Sequence, residues 1–182
     1  MSLLLLSANV VETSPSCSGS TAAPFQPSPQ EVLALERQSR QAGSGISNPA
    51  LIGSWRPALL WSCRKSAPQP VLSALLQLFQ ARLNVALEQD GTLRVENQVA
   101  VPPMQLRFVG RGQLNGRRPL LRFGFDQVEL NLGRWQLMKR DLPQANLREQ
   151  PFFALIAQGE DRDGRWLLAR GRGGGLACWR CP

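Results

Sequence analysis

The reactive side chains of this 182-residue chain exclude most catalytic templates. Histidine is absent, so the residue that most often acts as a general base near neutral pH is missing. A Ser-His-Asp triad, a Cys-His pair and a histidine-ligated metal site are therefore impossible within this chain. The acidic cluster of Glu160, Asp161 and Asp163 adjoins an Asp-Gly turn, which predicts a solvated loop. We therefore predict that the protein is not an enzyme.

Two motifs have the spacing of known reactive sites but lack the other parts of those sites. Cys178 and Cys181 form a Cys-x-x-Cys pair at the end of the chain, whereas a thioredoxin-like pair lies between a strand and a helix. A zinc site would need two more ligands, and Cys17 and Cys63 are the only other thiols. The glycine-rich run 171–175 lacks the Lys-Ser or Lys-Thr ending of a P-loop. We therefore predict no metal and no cofactor, a strand end at the cysteines and a flexible turn at the glycines.

The formal net charge of +8 comes almost entirely from arginine. Lysine occurs only at Lys65 and Lys139, and the arginines are spread from Arg37 to Arg180 without a dense block. This spread favours a solvated basic surface. Contact with an anionic membrane surface is the second interpretation, and nucleic-acid binding is the least favoured.

The first 29 residues are predicted to be a disordered tail, because residues 12–29 are rich in Ser, Pro, Thr and Ala. No cation precedes the leucine run at residues 3–6, which argues against a signal or transit peptide. No segment approaches the ~20 continuous apolar residues of a membrane-spanning helix. We therefore expect a folded domain over residues 30–182, in a protein that is cytoplasmic or peripheral to a membrane.

Helical patterns occur at two places. Ser28, Pro29 and Glu31 form a capping box that starts a helix ending near Gln41. Apolar residues at helical spacing predict one additional short helix over residues 71–79.

Strand patterns fill most of the remaining sequence. Short alternating segments are joined by Asp-Gly or Asn-Gly turns at 90–91, 115–116 and 163–164. A further strand is predicted from Gly53 to Cys63, with a bulge at Pro57. This spacing, without alternating helices, predicts a mainly β fold such as a sandwich or a barrel. An up-and-down barrel of about eight strands can hold one small ligand.

Aromatic residues that alternate with polar neighbours are the candidates for a ligand pocket. Their inward face must form core or pocket, and small barrels often keep an internal ligand site. For each single residue, plain core packing is the alternative. The candidate pocket residues are Trp55, Trp61, Phe108, Phe123, Phe125 and Trp135.

Both ends of the predicted domain resemble the plastid lipid-associated protein family (PAP/fibrillin) of plants and cyanobacteria. The run NPALIGSW at 48–55 is similar to the family's Leu-x-Gly-x-Trp entry, and WLLARGRGGGLACW at 166–179 is similar to its closing hairpin. The resemblance implies a lipocalin-like antiparallel β-barrel that binds lipids, carotenoids or quinones at thylakoid membranes or lipid droplets. It also implies that Gly53 and Trp55 close the barrel floor, with Arg170 on the terminal strand facing them. The tail lacks the character of a plant transit peptide, which favours a cyanobacterial member.

The leading prediction is therefore a lipid- or pigment-binding barrel protein of photosynthetic membranes. Its partner would be an apolar small molecule or lipid. The alternative is a bilin chromophore lyase for phycobiliproteins, since lipocalin-like barrels also occur there and interior arginines would hold the bilin propionates. A third interpretation is a structural module that binds a protein partner or RNA.

Overall fold

One large antiparallel sheet dominates the structure. The computed structural model describes residues 23–61, 80–143, 146 and 149–182. Within these residues two helices precede or adjoin the first strand: α1 (Pro29–Ala42) and α2 (Asn48–Leu51). The strands in the same residues are β1 (Gly53–Trp61), β2 (Arg82–Leu87), β3 (Leu93–Val101), β4 (Met104–Asn115), β5 (Leu120–Leu132), β6 (Trp135–Asp141), β7 (Phe152–Asp161), β8 (Gly164–Gly171) and β9 (Leu176–Cys181).

Eight of these strands close into a ring. The order is β4-β3-β2-β1-β9-β8-β7-β5, and pairing of β4 with β5 completes the circle. Among the described strands, β6 pairs with β5 alone and forms an edge outside the ring. The predicted Asp-Gly and Asn-Gly turns connect β2 to β3, β4 to β5 and β7 to β8. The prediction of a mainly β protein is therefore confirmed.

Strand β1 changes partner along its length. Gly53 to Trp55 pair with β2, and the residues from Arg56 onward pair with β9. A register shift between Pro57 and Leu59 confirms the predicted bulge. Because the shift adds one residue, it inverts the alternation of faces beyond it.

Two apolar clusters lie on opposite sides of the ring wall. The outer cluster joins α1 to the outside of the sheet and contains the buried residues Val32, Trp61, Ile156, Leu168, Leu176 and Cys178. The inner cluster lies inside the ring and contains the buried residues Ile46, Leu51, Trp55, Leu83, Val85, Leu93, Val95, Leu121, Phe123, Leu155, Leu167, Ala169 and Cys181.

The predicted capping box at Ser28 is present and starts α1, which ends at Ala42, one residue beyond the expected Gln41. The second short helix of the structure is α2. The helix predicted over 71–79 and residues 1–22 of the predicted tail lie outside the described residues. No described helix has the length and apolar character needed to cross a membrane.

The segment that precedes α1 also packs on the ring. Phe25 stacks on Trp166 with ring centroids 3.8 Å apart. The Phe25 amide donates to Asp161 at 2.6 Å, and its carbonyl accepts from Arg180 at 2.8 Å. The packed part of the chain therefore begins before residue 30. Asp161 itself is only 6% exposed, so the expectation of a fully solvated acidic loop is wrong at this residue.

A buried carboxylate fixes α1 against the sheet. Glu36 is 3% exposed, and it accepts from Arg170 at 2.6 and 2.5 Å and from Arg118 and Arg40 at 3.0 Å each. Burial opposes ionisation, but the hydrogen bonds from Arg170 and Arg40 outweigh it and lower the pKa of Glu36 to about 2. Removing one member of such a buried network leaves its partners uncompensated.

Replacing Glu36 with glutamine is expected to lower the free energy of unfolding by about 3 kcal/mol, because three guanidinium groups then face a neutral amide. Denaturant unfolding at pH 7 measures this difference. The control is Arg37→Gln on the same helix, since Arg37 is exposed and its loss should change stability by less than ~0.5 kcal/mol. Equal losses in the two variants would contradict the role of Glu36.

The same difference should depend on pH. The carboxyl titrates near its ordinary value of 4.5 in the unfolded chain and near 2 in the folded one. Its stabilisation is therefore complete above about pH 4.5 and is lost as the pH falls toward 2. Between pH 5 and pH 2 the gap between wild type and Glu36→Gln should shrink, and a constant gap would refute the assignment.

Candidate ligand site

A continuous row of aromatic rings lies on the inner face of the ring. Phe108 contacts Phe125 at a centroid distance of 5.6 Å, and Phe125 contacts Phe123 at 5.5 Å. Phe123 contacts Phe153 at 5.4 Å, and Phe153 contacts Trp179 at 5.9 Å. The contacts are tilted or edge-on, which is the favourable geometry for aromatic pairs. We call these five residues the aromatic row.

The aromatic row is only partly closed off from solvent. Phe123 is buried, with 6% of its surface exposed. The other four members are half-buried, although their side chains point toward the inside of the ring. Inward aromatic surface that stays accessible is the kind of lining found in sites for apolar small molecules.

The structure brings together three of the six predicted pocket residues, namely Phe108, Phe123 and Phe125. The expectation is wrong for Trp61, which lies in the outer cluster because the β1 bulge turns it away from the ring. It is also wrong for Trp135, which is 61% exposed on the edge strand β6. Trp55 points inward, but it is 1% exposed and belongs to the closed core.

Sequence reasoning missed Phe153 and Trp179. Two adjacent phenylalanines begin β7, and only the strand register shows that Phe153 is the inward one. Trp179 shares the inner face of β9 with buried Cys181, and buried Cys178 lies on the other face. The two-residue spacing of Trp179 and Cys181 is visible in the sequence, but it predicts only a strand end and does not by itself indicate a pocket.

The end of the ring at β1 is closed around Trp55. The indole Nε1 donates to the Leu51 carbonyl at 2.7 Å. The Arg165 guanidinium lies 5.3 Å from the Trp55 ring and donates to the Ile52 carbonyl at 2.8 Å. A Cβ at Gly53 would lie 2.7 Å from both Arg165 Nη2 and Cys181 Sγ, so a larger residue there would displace these side chains. Gly53 and Trp55 both lie at this closed end of the ring.

The arginine at this closed end is Arg165 and not Arg170. Arg170 lies on β8, not on the terminal strand, and it points outward to Glu36. The reason is the two-residue period of a strand, since positions 165 and 170 lie on opposite faces of β8. The proposed closure role of Arg170 is therefore corrected.

A basic pocket of about 340 Å³ lies where β1 and β2 diverge. Arg56 is in register with Arg180 on β9, and Arg82 begins β2. Arg180 is neutralised by both Asp161 oxygens at 2.7 Å. The apolar floor comes from Pro57, Ala58 and Ala81. This pocket fits an anionic group attached to an apolar body.

The terminal cysteines do not form a reactive pair. Cys178 belongs to the outer cluster and Cys181 to the inner one, so the sheet separates their thiols. Burial raises the pKa of the Cys178 thiol to about 11, which disfavours the reactive thiolate. Within the described residues, no group of three potential metal ligands comes together.

No family model matches this sequence, and no curated protein matches it. The function is therefore inferred from the fold and the side-chain geometry.

Replacing Gly53 with alanine is expected to lower the free energy of unfolding by about 2 kcal/mol, because the new Cβ displaces Arg165 and Cys181 from the closed end. The backbone φ of 146° adds strain for any L side chain. Thermal and denaturant unfolding measure the loss. Gly173→Ala is the control, since nothing lies within 4 Å of the added Cβ. Equal stability of the two variants would contradict the tight closure at Gly53.

Proposed function

We propose that this protein binds an apolar ligand, a lipid, carotenoid or quinone, inside a lipocalin-like barrel at photosynthetic membranes. The observation that carries the proposal is the aromatic row. Four of its rings face the inside of the ring and stay half-buried, so they leave aromatic surface that a bound molecule can cover. An apolar molecule seated on the row would remove that surface from water.

The extent of the row favours a ligand that can contact several rings. Successive ring centroids are 5.4–5.9 Å apart over four contacts, so the five rings form one connected aromatic surface. Acyl and isoprenoid chains are long enough to contact several rings at once. Dispersion contacts with rings at several points along such a chain sum to a large attraction.

The lipocalin-like assignment is supported by the ring and its closed end. A ring of eight strands has the size at which a barrel interior can hold one small ligand. At the closed end an arginine lies over the face of Trp55, although it is Arg165 and not the Arg170 that the resemblance implies.

Binding without catalysis is the role that we propose for these groups. The chain has no histidine. Three carboxylates are buried in the described residues. Glu129 pairs with Arg107, and Glu36 and Asp161 face arginines in contacts that hold α1 and the segment before it. Glu36 and Asp161 both have lowered pKa values, Glu36 at about 2, since arginine hydrogen bonds outweigh the effect of burial. A carboxylate so stabilised is a poor proton donor or acceptor at neutral pH.

The bilin lyase remains the second candidate, and the basic pocket is the observation that favours it. Arg56 and Arg82 could hold bilin propionates there, outside the aromatic row. Incubation with bilin and an apo-phycobiliprotein tests this function. Covalent bilin attachment that falls at least tenfold in Arg56→Gln, but not in Arg111→Gln, would establish it, and absence of attachment would exclude it.

The test of ligand binding is a pair of neighbouring variants on opposite faces of β7. Phe153→Leu, in the aromatic row, should weaken binding of a quinone or carotenoid about five- to tenfold, as expected for loss of one aromatic contact. Phe152→Leu should bind normally, because Phe152 lies under Arg122 on the other face. Quenching of tryptophan fluorescence measures affinity, with Trp179 in the row as a reporter.

Mass spectrometry of the purified full chain identifies any retained lipid or pigment. Phe125→Leu provides a second variant in case Phe153→Leu folds poorly. Two results would overturn the proposal: no affinity for any lipid, quinone or carotenoid, or equal weakening in the Phe152 and Phe153 variants.

A further inference from the structure

At one corner of the sheet, four strands continue past the residues that pair with the rest of the ring. Strand β3 pairs with β2 only up to Gln98, and β5 pairs with β7 only from Leu120 to Arg122. Beyond these points, β3, β4, β5 and β6 pair only with one another in the described part of the chain. This four-stranded extension includes the β3–β4 turn and the β5–β6 turn.

The strand register shows that the extension has one apolar face and one charged face. The face that carries Phe108 has apolar residues at nearly every position, and four of them are well exposed. The other face carries an ion-pair network of Glu96, Arg107, Glu129 and Lys139. The exposed apolar members are Val101 at 52%, Met104 at 48%, Trp135 at 61% and Met138 at 41%. We call these four residues the hairpin face.

The two turns at the tip are held side by side. The Gly133 amide donates to the Pro103 carbonyl at 2.7 Å. Leu132 is in register with Met104 on one side and with Trp135 on the other. The hairpin face is therefore a continuous surface built on backbone hydrogen bonds.

The charges around the hairpin face are all positive. Arg140 is in register with Val128 and so lies on the same face, and Arg134 stands in the β5–β6 turn at the tip. Both are exposed, and neither forms an ion pair with a described residue. Among described residues, the register places no carboxylate on this face. An anionic partner is therefore complementary to it.

We propose that the hairpin face docks on an anionic lipid bilayer, with Trp135 and Met104 in the interfacial layer and Arg134 and Arg140 at the headgroups. Tryptophan is enriched at this depth of a membrane, and arginine is attracted to anionic lipids. A second copy of the chain is a poorer occupant, because each copy carries a formal charge of +8.

This inference rests on the proposed function in one respect: the purpose that we assign to docking is the transfer of a ligand to the aromatic row. Phe108 lies on the same face of β4 as Met104 and contacts Phe125 in the aromatic row at 5.6 Å. Apolar surface is thus continuous from the docked hairpin face to the row. A lipid or pigment leaving the bilayer would reach the row along this surface.

The test is flotation of the full chain with vesicles of phosphatidylcholine alone or with one-quarter phosphatidylglycerol. We expect strong binding to the anionic vesicles only. Trp135→Ser should weaken it at least tenfold, and Gln136→Ser, the neighbour in register on the polar face, should not change it. Arg140→Gln should weaken it about fivefold, from the attraction of one cation to the surface. Lys139→Gln is the matched charge control on the other face.

Tryptophan emission and chain size complete the experiment. Anionic vesicles should shift the emission of wild type to the blue, and this shift should be smaller in Trp135→Ser. Equal vesicle binding by wild type and Trp135→Ser would overturn the inference. A dimer that Trp135→Ser dissociates would also overturn it, because the face would then join two copies.

The two proposals fail separately. Loss of vesicle binding with normal quinone or carotenoid affinity would refute the docking surface alone. Vesicle binding through the hairpin face without any lipophile affinity would support the surface and refute the proposed ligand site.

Discussion

The closure of the sheet at β1 is the constraint on which the rest of the structure depends. Three residue pairs between β1 and β2, from Gly53 to Trp55, join the two sides of the ring. Trp55 fills this end, and Arg165 covers it by bonding to the Ile52 carbonyl. Once the sheet is closed, each strand has an inside and an outside, and the two-residue period assigns every side chain to one of them.

Charge is distributed according to that division. Two of the buried carboxylates, Glu36 and Asp161, lie on the outer side, where arginines from the sheet compensate them. These ion pairs fix α1 and the Phe25 segment onto the wall. Among the described residues, the strand register places no charged side chain on the inner face beside the aromatic row, where a charge would need a partner to offset its desolvation. The ion pairs that hold α1 and the candidate binding surface thus lie on opposite sides of one sheet.

The aromatic row and the hairpin face are two parts of one apolar surface. Phe108 belongs to the row and also lies on the exposed side of the extension. Edge strands normally carry polar or charged residues that prevent unwanted association. Strand β6 instead presents Trp135 and Met138 on one side and Lys139 on the other. Such an asymmetric edge is what the proposed docking on a lipid bilayer requires.

The sequence by itself determined the capping box at Ser28, the three glycine turns and the bulge near Pro57. Each depends on residues a few positions apart, so no distant contact is needed to predict it. Only the tertiary structure decided which aromatic residues face inward. A one-residue bulge reverses every later side chain on its strand, which moved Trp61 outside. Pairing across the ring placed Trp135 on an edge, brought Phe153 and Trp179 into the row, and gave the closing role to Arg165 instead of Arg170. Which residues of distant strands lie opposite one another depends on the closure of the ring, so no local sequence pattern predicts it.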